Sequence, residues 1–332
     1  MRHMLLAVFL AALALGAYRF LSEFLAALND TPYVSSKEYA KSWYAGPSPE
    51  VVVDVFAGNI YVVQATDGNV TARVRPSAVT NESQTVADGA CAAIRLEMTQ
   101  GKEGTIRITA LVPPAFSLCR READVVLHVP QGVRLDLHTR RGDIRVGEAY
   151  VGANLVRSPP AVRSIKARAD FDGKDWSYHG DIFVETAKIP AGDPRTPKTD
   201  LQLEGVQQIE IHADEATVQA RARGGAFVIE HETATGKLYS EEKVEGSITF
   251  VGTLSEGHHS FWAADRADLR LPAGATFDLD AEASGGAVTS GFPVKAGGVI
   301  GRSRLQGIVG ASPRTLVRVR VDKGRIRIEE KL

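Results

Sequence analysis

The chain reads as an all-β protein, a β-solenoid-like stack of short strands with glycine corners, preceded by one N-terminal hydrophobic helix. Three observations carry that reading. The first is composition: 31 of 332 residues are Gly, while Met and Trp number only three each, a bias toward turns and strands over helices. The second is alternation: from Val51 onward, short apolar/polar segments follow one another between Gly, Pro and Asp turns, with the period of two expected of half-buried strands. The third is a recurring unit of Gly, any residue, an apolar residue, any residue, and another apolar residue. It appears as Gly58-Asn-Ile60-Tyr-Val62, Gly142-Asp-Ile144-Arg-Val146 and Gly180-Asp-Ile182-Phe-Val184. It returns as Gly225-Ala-Phe227-Val-Ile229, Gly246-Ser-Ile248-Thr-Phe250 and Gly324-Arg-Ile326-Arg-Ile328, with Gly286-Ala-Val288 a degenerate copy. Glycine tolerates φ > 0 and so can turn the chain sharply. The strand that follows sends its second and fourth residues after the Gly to one face and leaves the residues between them for water.

In chain order, Met4 to Ala17 is an unbroken apolar run behind Arg2 and His3. It is shorter than the ~20 residues that span a bilayer, which suits a signal peptide, and Ala14-Leu15-Gly16 offers small residues before a cleavage point at Ala17. Phe20, Leu21, Phe24, Leu25 and Leu28 nevertheless continue a helical apolar stripe past Arg19 and Glu23. Residues 1–29 therefore fit either a cleaved signal peptide or a retained membrane anchor, and both place the remainder outside the cytoplasm: exported, and membrane-anchored, secreted or periplasmic. Residues 30–50 hold Pro32, Pro47 and Pro49 without periodicity, the composition of a linker. Residues 51–332 form the β-domain. Within it, a strand is expected at Ala92–Met98, just after Cys91. An even cysteine count in an exported chain permits one Cys91–Cys119 disulfide, which stabilises by roughly 3 kcal/mol for a loop of this length. Two buried thiols are the alternative.

A longer duplication supports the stack. Ala123-Asp-Val-Val-Leu-His-Val-Pro130-Gln-Gly132-Val-Arg-Leu-Asp-Leu137 parallels Ala267-Asp-Leu-Arg-Leu-Pro272-Ala-Gly274-Ala-Thr-Phe-Asp-Leu279. In each, a strand meets Pro-x-Gly, turns, and resumes as apolar-Asp-apolar, the mark of a quasi-repeating β architecture. Ala187 to Thr199 looks like an inserted loop. With "VPQGVRLDLHTRRGDIRV" and "LPAGATFDLDAEASGGAV" added to the Gly-x-Ile corners, the region from Val51 to Leu332 resembles the bacterial putative-adhesin domain family. That resemblance implies an exported β-solenoid-like stack of unknown function. It supplies no catalytic residue, and the cysteine pair departs from its pattern.

The candidate chemistry is sparse. Arg141-Gly142-Asp143 is an adhesion-type triplet, but the repeat corner explains it by itself. Asp136, Asp278 and Asp280 suggest the clustered carboxylates of a glycan-cleaving solenoid, yet each sits where alternation demands a solvent-facing polar residue. His258 and His259 are adjacent in a strand and so face opposite sides. Asp170-Phe-Asp172-Gly-Lys-Asp175 lacks the ligand series and closing Glu of a calcium loop. No nucleophile elbow, phosphate loop or CxxC pair occurs, so no catalytic, metal or cofactor site is expected. Trp176, Tyr178, Phe261 and Trp262 flank turns, as core residues or as a sugar-stacking platform.

Charge excludes one class of partner: 39 basic against 40 acidic residues, a net charge of −1, argues against nucleic acid. The charges are zoned, with basic stretches from Arg134 to Arg168 and Arg302 to Arg327 around an acidic stretch from Asp200 to Glu256. Arg318, Arg320, Arg325 and Arg327 take outward positions, either protecting a strand from edge pairing or forming a polyanion-binding stripe. The reading that follows is a non-catalytic exported surface scaffold or adhesion module. Its alternative is an envelope-glycan or polyanion-binding module using those arginines, and a polysaccharide-cleaving enzyme ranks third. The partners expected are a cell-envelope glycan, an anionic polymer or another surface protein, and the membrane if the N-terminal segment is retained.

Overall fold

The structure, a computed structural model, describes residues 32–46, 49–101, 103–111, 119–151, 154–170, 180–187, 199–233, 236–300 and 302–331, without the side chains of 151, 225–243 and 296–300. The N-terminal hydrophobic segment and the Asp172–Asp175, Trp176 and Tyr178 positions lie outside the described residues. So does most of the Ala187–Thr199 insertion.

The alternating segments stack into two parallel sheets that face each other across one core. Sheet I runs, neighbour by neighbour, through Arg120–Val129, Ile60–Gln64, Ile144–Val146, Ile182–Glu185, the first half of Gln208–Ala222, Ser247–Leu254, Arg266–Pro272, Arg325–Lys331 and Val288–Ser290. Sheet II runs through Ile106–Leu111, Glu50–Val55, Arg134–Thr139, Ser164–Ala169, Thr199–Gly205, the second half of Gln208–Ala222, Gly257–Ala263, Thr315–Val321 and Phe277–Ala283. Parallel sheets usually have both faces covered and read as continuous apolar runs. Here each sheet has a wet outer face, which is why the strands alternate. Val51, Val53, Val55, Leu137, Ile144, Ile165, Ile182, Leu201, Ile209, Ile248 and Phe261 are among the inward side chains and are almost wholly buried. Each contributes about 1.5–3 kcal/mol by leaving water. Phe250 packs on Phe261, and Phe277 on Phe292, at centroid distances of 5.7 and 5.4 Å.

The corner glycines are required by crowding. A Cβ on Gly324 would stand 1.6 Å from the Asp265 carbonyl oxygen, one on Gly286 1.6 Å from that of Gly324, and one on Gly142 2.0 Å from that of Gly58. Neither Gly246, Gly286 nor Gly324 has a positive φ, so the expected conformational reason does not hold there. The next rung's backbone occupies the side chain's place. The residue after the corner is not simply turned to water either. Asn59 N–H donates to Asp124 Oδ1 (2.9 Å), Asp143 N–H to Asn59 Oδ1 (2.9 Å), Asp181 N–H to Asp143 Oδ1 (3.0 Å) and Gln208 N–H to Asp181 Oδ1 (2.9 Å). This ladder satisfies corner amides that the strands leave unpaired.

At both ends the stack departs from chain order. The rung 106–129 lies outside the rung 50–64, and the last rung, 315–331, inserts between 257–272 and 277–290. Antiparallel strands close each end: Asn69–Thr80 on Arg120–Val129 and Arg95–Gln100 on Ile106–Leu111 at one, Arg304–Val309 on Phe277–Ala283 at the other. The duplicated Pro-x-Gly turns match, with φ +78° at Gly132 and +79° at Gly274.

Three expectations are corrected. The stretch 30–50 is not only linker, because Tyr33–Ser36 and Tyr39–Tyr44 pair antiparallel with Asn69–Thr80. As end strands they bury only Trp43 fully, so their sequence lacks an apolar period. Gln84–Ala92 is an α-helix, capped by Ser83 Oγ accepting from Val86 N–H at 3.3 Å, so the strand expected at Ala92 begins at Arg95. Its buried stripe is Ala87, Ala90 and Cys91, small residues interrupted by Gly89, which weakened the helical signal. Gly225-Ala-Phe227-Val-Ile229 is not a rung. It belongs to a separate hairpin, Gly225–Thr233 paired with Gly236–Val244, whose register is local to its two strands. Among the described residues no helix is long and apolar enough to cross a membrane.

Candidate functional site

Because sheet II is parallel and in register, its outward side chains line up in columns across the strands. One column runs Val52, Asp136, Lys166, Gln202, Gln219, Ser260, Arg318, Asp280. The next, two residues along each strand, runs Asp54, His138, Arg168, Glu204, Arg221, Trp262, Arg320, Glu282. The basic and acidic zones of the sequence thus meet as cross-strand neighbours, which is the favourable arrangement in a sheet.

Between the two columns, at mid-stack, lies a trough of about 540 Å³. Gln202, Gln219 and Ser260, from the first column, form one wall and Arg221 and Trp262, from the second, form the other, with Asp136 and Lys166 toward one end. The Arg221 guanidinium lies 4.5 Å from the Trp262 ring centroid, a cation–π contact that fixes the guanidinium and covers one indole face. Trp262 is half-buried and outward, whereas Phe261 is core. Lys166 Nζ stands 3.7 Å from Asp136 Oδ2.

One rim is tied down by Asp170. His138 Nε2 (3.3 Å), Arg168 Nε (3.0 Å) and Arg223 all bond its carboxylate, His138 Nδ1 lies 3.3 Å from Asp54, and Arg223 Nε lies 3.5 Å from Glu204. Burial pushes the Asp170 carboxyl up, but the hydrogen bonds from Arg223, His138 and Arg168 outweigh it and hold the group below its usual range.

A second concavity, about 380 Å³, opens on sheet I between Tyr61, Tyr150, Arg73, Arg75, Val126 and His128. Tyr61 meets Tyr150 edge-on at 5.9 Å, and burial, with Asp124 nearby, pushes the Tyr61 hydroxyl to about 12. Burial and Arg73 lower the His128 imidazole below its ordinary value.

The arginines singled out from sequence fall on two sheets. Arg318 and Arg320 are on the outer face of sheet II, Arg325 and Arg327 on that of sheet I. Arg320 donates to Asp280 Oδ2 at 2.7 Å and Arg318 Nε stands 3.5 Å from the same carboxylate. Arg327 Nε bonds Glu329 at 2.5 Å. Burial raises the Asp280 carboxyl, but Arg320, Arg304 and Arg318 outweigh it and lower it.

Asp136 and Asp280 share a column six strand steps apart, roughly 29 Å at about 4.8 Å per step. Paired glycosidase carboxylates stand about 5–10 Å apart; Asp278, two residues from Asp280 on the same strand face, is about 7 Å away, but Asp280 is held by Arg320 and Arg318. In Arg141-Gly142-Asp143, the Asp carboxylate belongs to the corner ladder. His259 is buried, with Nδ1 accepting from Val218 N–H (3.2 Å) and Nε2 donating to Ser255 O (2.9 Å), while His258 is exposed on the opposite side. No cluster of metal-ligating side chains occurs among the described residues. Cys91 and Cys119 are not bridged in the structure, and Cys119 packs against the small cluster of Ala78, Ala90 and Cys91. The trough's Gln202, Gln219 and Arg221 carry little signal in sequence, because an outward polar residue in an alternating strand is the default. Their only signal was two Gln in strands otherwise rich in charge.

No protein-family model matches the chain, and no curated protein matches it significantly. Among solved structures, it is similar to a "putative cell adhesion protein" from Clostridium sporogenes, at 12% identity over 90% of this chain and 100% of that one, with a TM-score of 0.29. A "putative adhesin" from Parabacteroides merdae is similar at 7% identity over 90% and 97% of the two chains, TM-score 0.30. A "putative lipid binding protein" from Parabacteroides distasonis is similar at 10% identity over 90% and 97%, TM-score 0.25. Likeness at these scores establishes neither a shared ligand nor a shared activity.

Proposed function

We propose that the chain is a non-catalytic, exported surface scaffold or adhesion module, and that it meets its partner through the outer face of sheet II. The observation that carries this reading is the pair of in-register polar columns on a face backed by a continuous core. Such a face is rigid, wide and already assembled, so binding to it costs little ordering entropy. A hydrolytic reading needs a pair of free converging carboxylates, and in the neighbouring pair Asp278 and Asp280 the second is bound to arginine, while Asp136 stands far from both. Export rests on the apolar N-terminal run and agrees with an architecture that presents surface rather than encloses a substrate. The test is retention of the full-length chain on cell-envelope fractions, compared with a variant in which Gln202, Gln219 and Arg221 are all changed to Glu. Retention by the parent and loss by the variant supports the reading. Failure of the parent to bind any envelope fraction overturns it.

A further inference from the structure

We propose that the sheet II trough is a binding site for an oligosaccharide that carries a carboxylate, such as a uronic-acid-containing glycan. This deepens the adhesion reading and rests on it. The volume, about 540 Å³, falls within the range of small-ligand sites. The wall formed by the first column is chemically suited to sugar hydroxyls. Gln202 and Gln219 each offer an amide that donates and accepts, and Ser260 a hydroxyl that does both. All three side chains are exposed, and none has a side-chain hydrogen bond among the described residues. They are cross-strand neighbours, so their polar groups recur along the stack axis at about 4.8 Å and favour a ligand extended in that direction.

Charge selects the acidic sugar. Three permanent cations line the trough, Lys166, Arg168 and Arg221, against two carboxylates, Asp136 and Glu204. Lys166 is near Asp136, Arg168 is bound to Asp170, and Glu204 is near Arg223. Arg221 makes no ion pair among the described residues. It is exposed yet held in place by Trp262, so its planar fork is preorganised for a carboxylate. A peptide adding as a strand is disfavoured, because the strands that line the trough are paired on both sides and offer no free backbone edge.

The probe is tetragalacturonate, titrated by calorimetry against the full-length chain, with maltotetraose as the neutral comparison. Expected is binding of the acidic tetrasaccharide at least 10-fold tighter than the neutral one. Arg221→Gln should remove that preference, and Gln202→Ala with Gln219→Ala should weaken both sugars by about 5-fold or more, with unchanged unfolding midpoints. Equal binding of the two sugars, or an Arg221→Gln variant that keeps the preference, overturns the assignment. If tetragalacturonate does not bind while the parent chain is still retained on envelope fractions, the saccharide assignment fails and the adhesion reading stands. If neither is bound, both fail.

Discussion

Replacing Gly324 by Ala isolates the reason the corners are glycine. The new Cβ would sit 1.6 Å from the Asp265 carbonyl oxygen and 2.7 Å from its carbon, against ordinary contact at 3.4 Å or more. The corner must therefore part from its neighbour by roughly 1.8 Å. Two hydrogen bonds bracket the site, Lys323 N–H to Ala264 O at 3.0 Å and Arg325 N–H to Asp265 O at 3.2 Å, and that displacement breaks both. Two such bonds contribute about 0.5–1.5 kcal/mol each, and overpacking adds about 1–3 kcal/mol, for a total of about 2–6 kcal/mol. Gly274 supplies the control. Its φ is +79° and nothing lies within 4 Å of a Cβ there, so Gly274→Ala costs only the left-handed backbone term, about 1–2 kcal/mol. Urea unfolding of the full-length chain, followed by circular dichroism, measures both. Gly324→Ala must be the more damaging. Equal midpoints, or a larger loss at Gly274, would refute close approach as the reason for the corner glycine.

Other outcomes follow from the same geometry. Asp143→Ala leaves the Asp181 amide without its acceptor and should cost about 1–3 kcal/mol, whereas Asp143→Asn, which keeps the oxygen, should stay within about 0.5 kcal/mol in the same unfolding assay. Asp280 is lowered from 3.8 in the folded chain, so its ion pairs stabilise above that value and are lost as pH falls through the lower folded one. Asp280→Asn should therefore flatten the acid limb of stability below about pH 4. Asp124 has the opposite sign: its carboxyl is raised from 3.8, by burial first, so its ionisation opposes folding at neutral pH. Asp124→Asn keeps the oxygen that Asn59 N–H uses and should match or exceed the parent's stability at pH 7, with the difference vanishing on acidification. Finally, Cys91 and Cys119 are unbridged in the structure, with Cys119 against the cluster that holds Cys91, and we expect an oxidising compartment to join them. Labelling of denatured, unreduced protein from that compartment should then find no free thiol, and two labelled thiols would exclude the bridge.

Much of this was legible in residue order. Gly58-Asn-Ile60 and Gly142-Asp-Ile144 announced rungs, because a corner followed by a short alternating strand leaves a local imprint at every turn of the stack. The duplicated Pro-x-Gly turns were visible for the same reason and share their backbone angle at Gly132 and Gly274. Tyr39–Tyr44 and Gln84–Ala92 are not legible in this way, since an end strand burying little beyond Trp43 and a helix burying small side chains carry weak periodic signals. Gly225 has the sequence of a corner yet opens a hairpin, because five residues cannot distinguish a rung from a hairpin.

Alternation and glycine spacing by themselves determined that this chain is a stack of half-buried strands, for those are local properties of the backbone and of side-chain hydrophobicity. The order of the stack was decided only in three dimensions, where the rung 315–331 enters between 257–272 and 277–290. The trough was decided there too. Gln202, Gln219 with Arg221, and Trp262 come from three strands, Thr199–Gly205, Gln208–Ala222 and Gly257–Ala263, and only the parallel register brings them side by side. A cross-strand neighbour is chosen by the pairing of whole strands, which no short stretch of sequence records.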